Sequence, residues 1–137
     1  MDITKFPQYE LYQLTLNLLV MKNQLIPENC GFRCINSTII NRAYFSSYLF
    51  CELWLDYVKN FRTIPIKEFG DDEMKISEHV QVRNALFNFG EKLTEEKLSK
   101  LSILRKKADY EPFIDLTPQD VSDAISYMEK IFNQLKF

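Results

Sequence analysis

The run Ile35–Asn60, "INSTIINRAYFSSYLFCELWLDYVKN", decides how the chain folds. Its apolar residues recur at helical spacing and go almost all the way round the helix, the pattern of an element buried on every side rather than on one stripe. The spacing predicts a long helix from a cap at Asn36 or Ser37, both good N-cap residues, to about Asn60, placed in the middle of a bundle. Its most apolar part, "AYFSSYLFCELWLDYV", carries Glu52 and Asp56 and is shorter than a bilayer span, so it reads as a core helix and not a membrane segment.

Working outward, helical periodicity continues nearly everywhere, and only three glycines punctuate 137 residues, which argues against a sheet protein with many tight turns. A first helix is predicted from about Pro7 to Gln24, with Pro7 in its first turn and an apolar stripe of Leu11, Leu14, Leu18 and Met21. "IPENCGFRC" reads as a loop. Beyond the central helix, "FRTIPIKEFGDDEMKI" contains Pro65, Gly70 and an acidic pair without a consistent period, the mark of a long mobile or functional loop. Ser77 is placed as the cap of a third helix to about Lys92, with Val82, Ala85, Leu86 and Phe89 inward and Gly90 weakening its last turn. Thr94 is placed as the cap of a fourth, whose stripe of Leu98, Leu101, Leu104 and Ala108 ends near Tyr110 because Pro112 disfavours helix at Glu111. The fifth opens on "TPQD": Thr117 as cap, Pro118 at the first helical position and Asp120 three after the cap, followed by Val121, Ile125, Met128, Phe132 and Leu135. The expectation is an all-α bundle of about five helices forming a single domain over residues 1–137.

With 46% hydrophobic residues the chain can build a core, and 17 Lys+Arg against 19 Asp+Glu give a formal charge of -2, so no bulk positive field draws it to nucleic acid or anionic lipid. Any such binding needs a local patch. Three cysteines make no paired framework; Cys30 and Cys34 have only His79 as an imidazole partner, which argues against a zinc site, and Cys51 reads as a buried thiol. The start "MDITKFPQYE" lacks the basic region and apolar run of a signal peptide, so the expected location is cytoplasmic, with no cofactor and no membrane.

A single histidine excludes two-imidazole sites, and no G-x-S-x-G, Walker loop, H-E-x-x-H or C-x-x-C occurs. His79 follows a cap, where its ring could face solvent. The stretch "LRKKADYEPF", Leu104–Phe113, carries more information. Asp109 falls in the last turn of a helix, facing the negative end of the macrodipole at a cost of about 0.3–1 kcal/mol. Arg105 can pair with it one turn earlier, but basic-before-acidic is the weaker order. A partner from another helix is therefore expected, and Arg42, a lone charge in the apolar central helix beside Tyr44, is the candidate; the link reads either as a structural pin or as part of a site. Arg105, Lys106 and Lys107, with Arg83 and Arg42, are candidates for a phosphate-binding patch, and Tyr44 and Tyr110 for stacking on a base. Phe45, Phe50, Trp54 and Tyr57 are assigned to the core.

Taken together, "INRAYFSSYLFCELWL", "SEHVQVRNALFNFG", "LSKLSILRKKADYEPF" and "LTPQDVSDAISYMEKIF" resemble the HEPN superfamily, in particular its small stand-alone bacterial and archaeal members. The likeness runs from about Ile35 to the end, and its most specific piece is R-x-x-A-D-Y at Arg105, Ala108, Asp109 and Tyr110. The resemblance implies an antiparallel helical bundle that homodimerises, and a role in toxin–antitoxin or antiviral defence. It further implies either metal-independent endoribonuclease activity or a non-catalytic role beside a nucleotidyltransferase antitoxin or another defence protein. The family's R-x4-6-H ribonuclease motif is missing, because Asp72, Glu73 and Met74 stand where its arginine would precede His79. Cleavage would then fall to Arg42 and Arg105 on the phosphate, with His79 or Tyr110 near the attacking 2′-hydroxyl and Asp109 completing the set.

Overall fold

The apolar run at 35–60 forms most of one 28-residue helix, Phe32–Lys59. It is the second of five, in a computed structural model that describes residues 2–26, 31–70 and 75–137. The helices are α1 (Pro7–Leu25), α2 (Phe32–Lys59), α3 (Glu78–Asn88), α4 (Lys92–Tyr110) and α5 (Pro118–Gln134). Short 3-10 turns lie at Ile3–Lys5 and Ile66–Glu68, and there is no strand among the described residues, so the fold is an all-α helical bundle. Cys30 and the acidic pair Asp71 and Asp72 lie outside the described residues.

All the other helices pack on α2, whose Ile39, Ile40, Phe50 and Leu55 are buried. The pairings show the directions. Lys22 near the end of α1 donates to Asn36 near the start of α2, while Phe6 before α1 meets Tyr57 near the end of α2, so the two run antiparallel. The start of α2 meets the end of α4 through Ser37 and Ala108, and α4 and α5 pair end to start through Lys107 and Asp120. A column of rings, Tyr12 on Phe132 at 4.5 Å and Phe132 on Phe50 at 4.1 Å, ties α1, α5 and α2 together. Tight stacking of this kind adds roughly 0.5–1.5 kcal/mol per pair beyond area burial.

Several boundaries differ from the sequence expectation, each for a local reason. α2 starts earlier than Asn36 or Ser37, with Gly31 as N-cap. Asn36 is instead buried and accepts from Lys22, and the Ser37 hydroxyl donates to the Ala108 carbonyl, so both side chains serve neighbouring helices rather than their own backbone. At the far end Asn60 adopts a left-handed φ of 52°, and the Phe61 N–H reaches back to the Leu55 carbonyl in a Schellman-type closure. α3 stops at Asn88, short of Lys92, because Gly90 turns the chain at φ 88°, and Phe89 lies past the helix, 41% exposed instead of inward.

Thr94 is not a cap: α4 begins at Lys92 with Glu91 as its N-cap, which leaves Thr94 buried in the first turn. The Thr117 capping box is present as expected, with both reciprocal hydrogen bonds, and the Val121, Ile125, Met128, Phe132 and Leu135 stripe is buried. In α1 Leu18 of the expected stripe packs against the core, whereas Leu14 and Met21 are about half exposed; the packed face also carries Tyr9, Tyr12, Leu16 and Leu19, drawn round by the Phe132 ring of α5. Tyr57, assigned to the core, is 57% exposed. The segment after α2 is anchored to α3, since the Gln81 amide bonds Ile64 N–H and the Ile64 and Ile76 carbonyls, and Thr63 donates to Glu78.

Candidate functional site

The middle of α2, the first turns of α3 and the last turns of α4 converge, and they bring together most of the side chains singled out in the sequence. At the centre is the ring of His79. It stacks on Tyr48 with centroids 4.1 Å apart and planes 9° apart, and its Nδ1 hydrogen-bonds the Tyr44 hydroxyl. It is therefore half-buried in an aromatic slot, not turned to solvent as its place after a cap suggests.

Burial, followed by the nearby charges of Arg105 and Arg83, holds the His79 imidazole below its ordinary value, so it is neutral near pH 7. Burial likewise pushes the Tyr44 phenol up, which keeps its proton on oxygen. Tyr44 and the neutral imidazole therefore share one proton-bearing hydrogen bond at Nδ1, with the donor set by the ring tautomer. Tyr48 donates to Glu52 at 3.0 Å, and its own phenol is pushed up by burial and by that carboxylate.

Arg105 lies against this slot, its guanidinium 5.3 Å from the Phe45 centroid, 5.8 Å from Tyr44 and 5.2 Å from Tyr110. Its Nε is 2.9 Å from Asp109 Oδ2, but the N–H is out of line with that oxygen, so the contact is an ion pair and not a hydrogen bond. Asp109 accepts a properly aligned bond from Asn41 Nδ2 at 2.9 Å, and Asn41 Oδ1 in turn accepts from Arg42 Nε at 3.0 Å. The expected direct link from Arg42 to Asp109 is thus replaced by a relay through Asn41, because Arg42 leans onto Phe45, 5.7 Å from its centroid. Phe45, assigned to the core, is part of the site's wall.

The compensation that Asp109 calls for at the negative end of α4 does come from α2, but from Arg33. Its guanidinium donates to the carbonyls of Lys107 and Ala108 at 3.3 Å, Glu111 at 2.8 Å and Ile114 at 2.9 Å, closing the end of α4 with a cation. Arg33 escaped sequence reasoning because it fell in an assumed loop, and Asn41 because its neighbour carried the charge. Tyr48 had a legible signal, lying four residues after Tyr44 on the same helix face.

Of the proposed cations, Arg42, Arg83 and Lys106 have no carboxylate partner among the described residues, and the positive field of Arg105, Arg83 and Lys106 is felt at His79. Lys107 does not join them; it turns toward α5 and pairs with Asp120 at 2.8 Å, where it fastens the α4–α5 hairpin. Tyr110 is 67% exposed beside Arg105, open to a stacking partner. Cys34 is exposed and Cys51 buried, and no three potential metal ligands come together among the described residues. Chemically, the arrangement offers guanidinium groups without carboxylate partners, a neutral imidazole and open ring faces, a set suited to an anion attached to a planar group.

No helix among the described residues is long and apolar enough to cross a membrane. No protein-family model, curated protein or solved structure matches the chain.

Proposed function

We propose that this chain is a small HEPN-type protein of a toxin–antitoxin or antiviral defence system that engages RNA at the cluster of Arg42, Tyr44, His79, Arg83, Arg105, Asp109 and Tyr110, working in the cytoplasm as a homodimer. The observation that supports it best is the convergence, from three helices distant in sequence, of Tyr44 and Tyr48, of Arg83, and of Arg105 and Lys106 on one neutral histidine, with the exposed Tyr110 beside Arg105. A phosphate would be held by Arg83 and Arg105, and a base would stack on Tyr110. In the cleaving form of this reading, the arginines stabilise charge on the phosphorane while His79 or Tyr110 handles the 2′-hydroxyl proton, without a metal.

One observation favours a second, non-catalytic reading in which the domain partners a nucleotidyltransferase or another defence protein. The Tyr44 hydroxyl already engages His79 Nδ1, and burial with the neighbouring cations lowers the basicity of the ring, which makes it a poor acceptor for a 2′-hydroxyl proton. The two readings part in a single experiment. Wild type, Arg105→Ala and Arg83→Ala are expressed side by side, with growth arrest and RNA fragmentation followed in cells and binding of a labelled RNA followed by anisotropy across salt. RNA engagement requires a wild-type affinity that falls steeply with salt and is weakened about tenfold or more by either variant. Arg83→Ala guards against a folding artefact because Arg83 has no ion-pair partner among the described residues. A wild type that leaves RNA intact and unbound sinks the RNA reading; one that binds without cutting selects the non-catalytic form.

A further inference from the structure

His79 is the protein's only histidine, and it sits among cations with its own charge withheld. Three helices surround the ring. α2 presents the Tyr44 and Tyr48 phenols, the second held by Glu52, and places Arg42 beyond the Phe45 ring. α3 supplies Glu78, which accepts from Thr63, and Arg83, one helical turn after the histidine. α4 supplies Lys106 and Arg105, the latter lying against the same Tyr44 and Phe45 rings as His79 and paired with Asp109. Burial of the imidazole is only partial, so the positive charges of Arg105 and Arg83 are the second reason, after burial, that it stays neutral.

We infer that an anion bound at the Arg83–Arg105 cluster draws a proton onto His79, so that the cluster holds a phosphate more tightly as pH falls. A phosphodiester between the two arginines cancels the charges that oppose an imidazolium and adds a negative one of its own, while the burial of the ring is unchanged. The complex then binds the proton more firmly than the free protein does. By reciprocity, affinity rises as pH falls through the titration of the complex, and levels off below that of the free protein, which lies beneath the ordinary histidine range. The slot is built to receive the proton. The Tyr44 oxygen, which has the buried Ser102 beside it as a second partner, can accept from a protonated Nδ1. The Tyr48 ring lies parallel to the imidazole with centroids 4.1 Å apart, turning the negative side of its quadrupole toward an imidazolium.

The coupling rests on the reading of this cluster as a phosphate site, and it shows how a ring of low basicity in the free protein regains basicity once a phosphate is in place. Because the chain has one histidine, its ring carbon proton gives a single NMR titration curve. The curve is followed in chloride, in sulfate at equal ionic strength, and with a bound uridine oligonucleotide, all of which keep their charge between about pH 5.5 and about pH 8. Sulfate and RNA are each expected to raise the midpoint. Arg83→Ala should raise it in the free protein and shrink the further rise, a response that a merely structural role would not give. One unit of midpoint shift is a tenfold change in affinity, so wild type should bind the oligonucleotide at least about fivefold more tightly at about pH 5.5 than at about pH 8. His79→Gln should flatten that profile. A midpoint that neither anion moves, or an equal gain at low pH in His79→Gln, overturns the inference. A midpoint raised by sulfate with no RNA bound at any pH upholds the coupling and sinks the RNA reading, whereas bound RNA that leaves the midpoint in place sinks the coupling alone.

Discussion

Thr94 shows how a single residue can carry the wrong local signal. A threonine just before a helical stripe suggests an N-cap, and replacing such a cap costs about 1 kcal/mol. Here the helix has already begun, and the Thr94 hydroxyl is buried with no hydrogen-bond partner. Thr94→Val keeps the shape and removes a stranded polar group, so stability should rise by about 1 kcal/mol, read as a higher urea midpoint with an unchanged slope. A fall of similar size would restore the capping role. The same limit applies at Arg42 and Asp109. The misfit of an acid at a helix C-terminus was legible from one-dimensional order, but which arginine answers it depends on where α2 begins, and that was hidden by two good cap residues whose side chains had tertiary partners. His79, Arg83, Arg105 and Tyr110 were legible as candidates because polar groups are sparse on these helices; their mutual geometry was not, since a ring stack between helices leaves no trace in spacing.

Among the elements, those with local signals were readable and those set by packing were not. The Thr117 box fixes the start of α5 through bonds within four residues, and Pro112 fixes the end of α4. By contrast, which face α1 turns inward depends on the rings of α5, and Leu14 and Met21 were left outside by a contact that periodicity cannot register. The end of α4 offers the sharpest test at this scale. Arg33 satisfies carbonyls that would otherwise lack partners and sets a positive charge against the negative helix end. Hydrogen bonds from a charged donor contribute about 1.5–3 kcal/mol, so Arg33→Ala should destabilise the protein by about 2 kcal/mol, with lysine at that position recovering part of the loss. Arg42→Ala, which removes only the paired bonds to its neighbour Asn41 and a ring contact, should cost less than half as much. Chemical denaturation of the two variants side by side checks the order, and an equal or reversed ranking would restore Arg42 as the pin between α2 and α4.

For the molecule as a whole, burial is distributed unevenly, and this predicts how it opens. α2 contributes twelve buried residues, whereas α1 contributes Thr15 alone and is otherwise attached by half-buried side chains, the Tyr9 and Tyr12 rings on Phe132 and the Lys22–Asn36 bond. Opening free energy follows the apolar surface an element must give up, so a helix held by one partly wetted face should separate before the bundle unfolds. Losing α1 exposes one side of α2 and part of α5 but leaves the packing of α2, α3 and α4 through Val82, Leu86, Leu98 and Leu101 intact. Native-state amide exchange should therefore find α1 opening at least tenfold more often than α2, about 1.4 kcal/mol or more below global unfolding, with little dependence on denaturant. α2 amides should exchange only through the global transition. Equal protection of α1 and α2 at every denaturant concentration would mean that the aromatic column of Tyr12, Phe132 and Phe50 binds α1 into one cooperative unit, and that burial fraction underestimates what those stacked rings contribute.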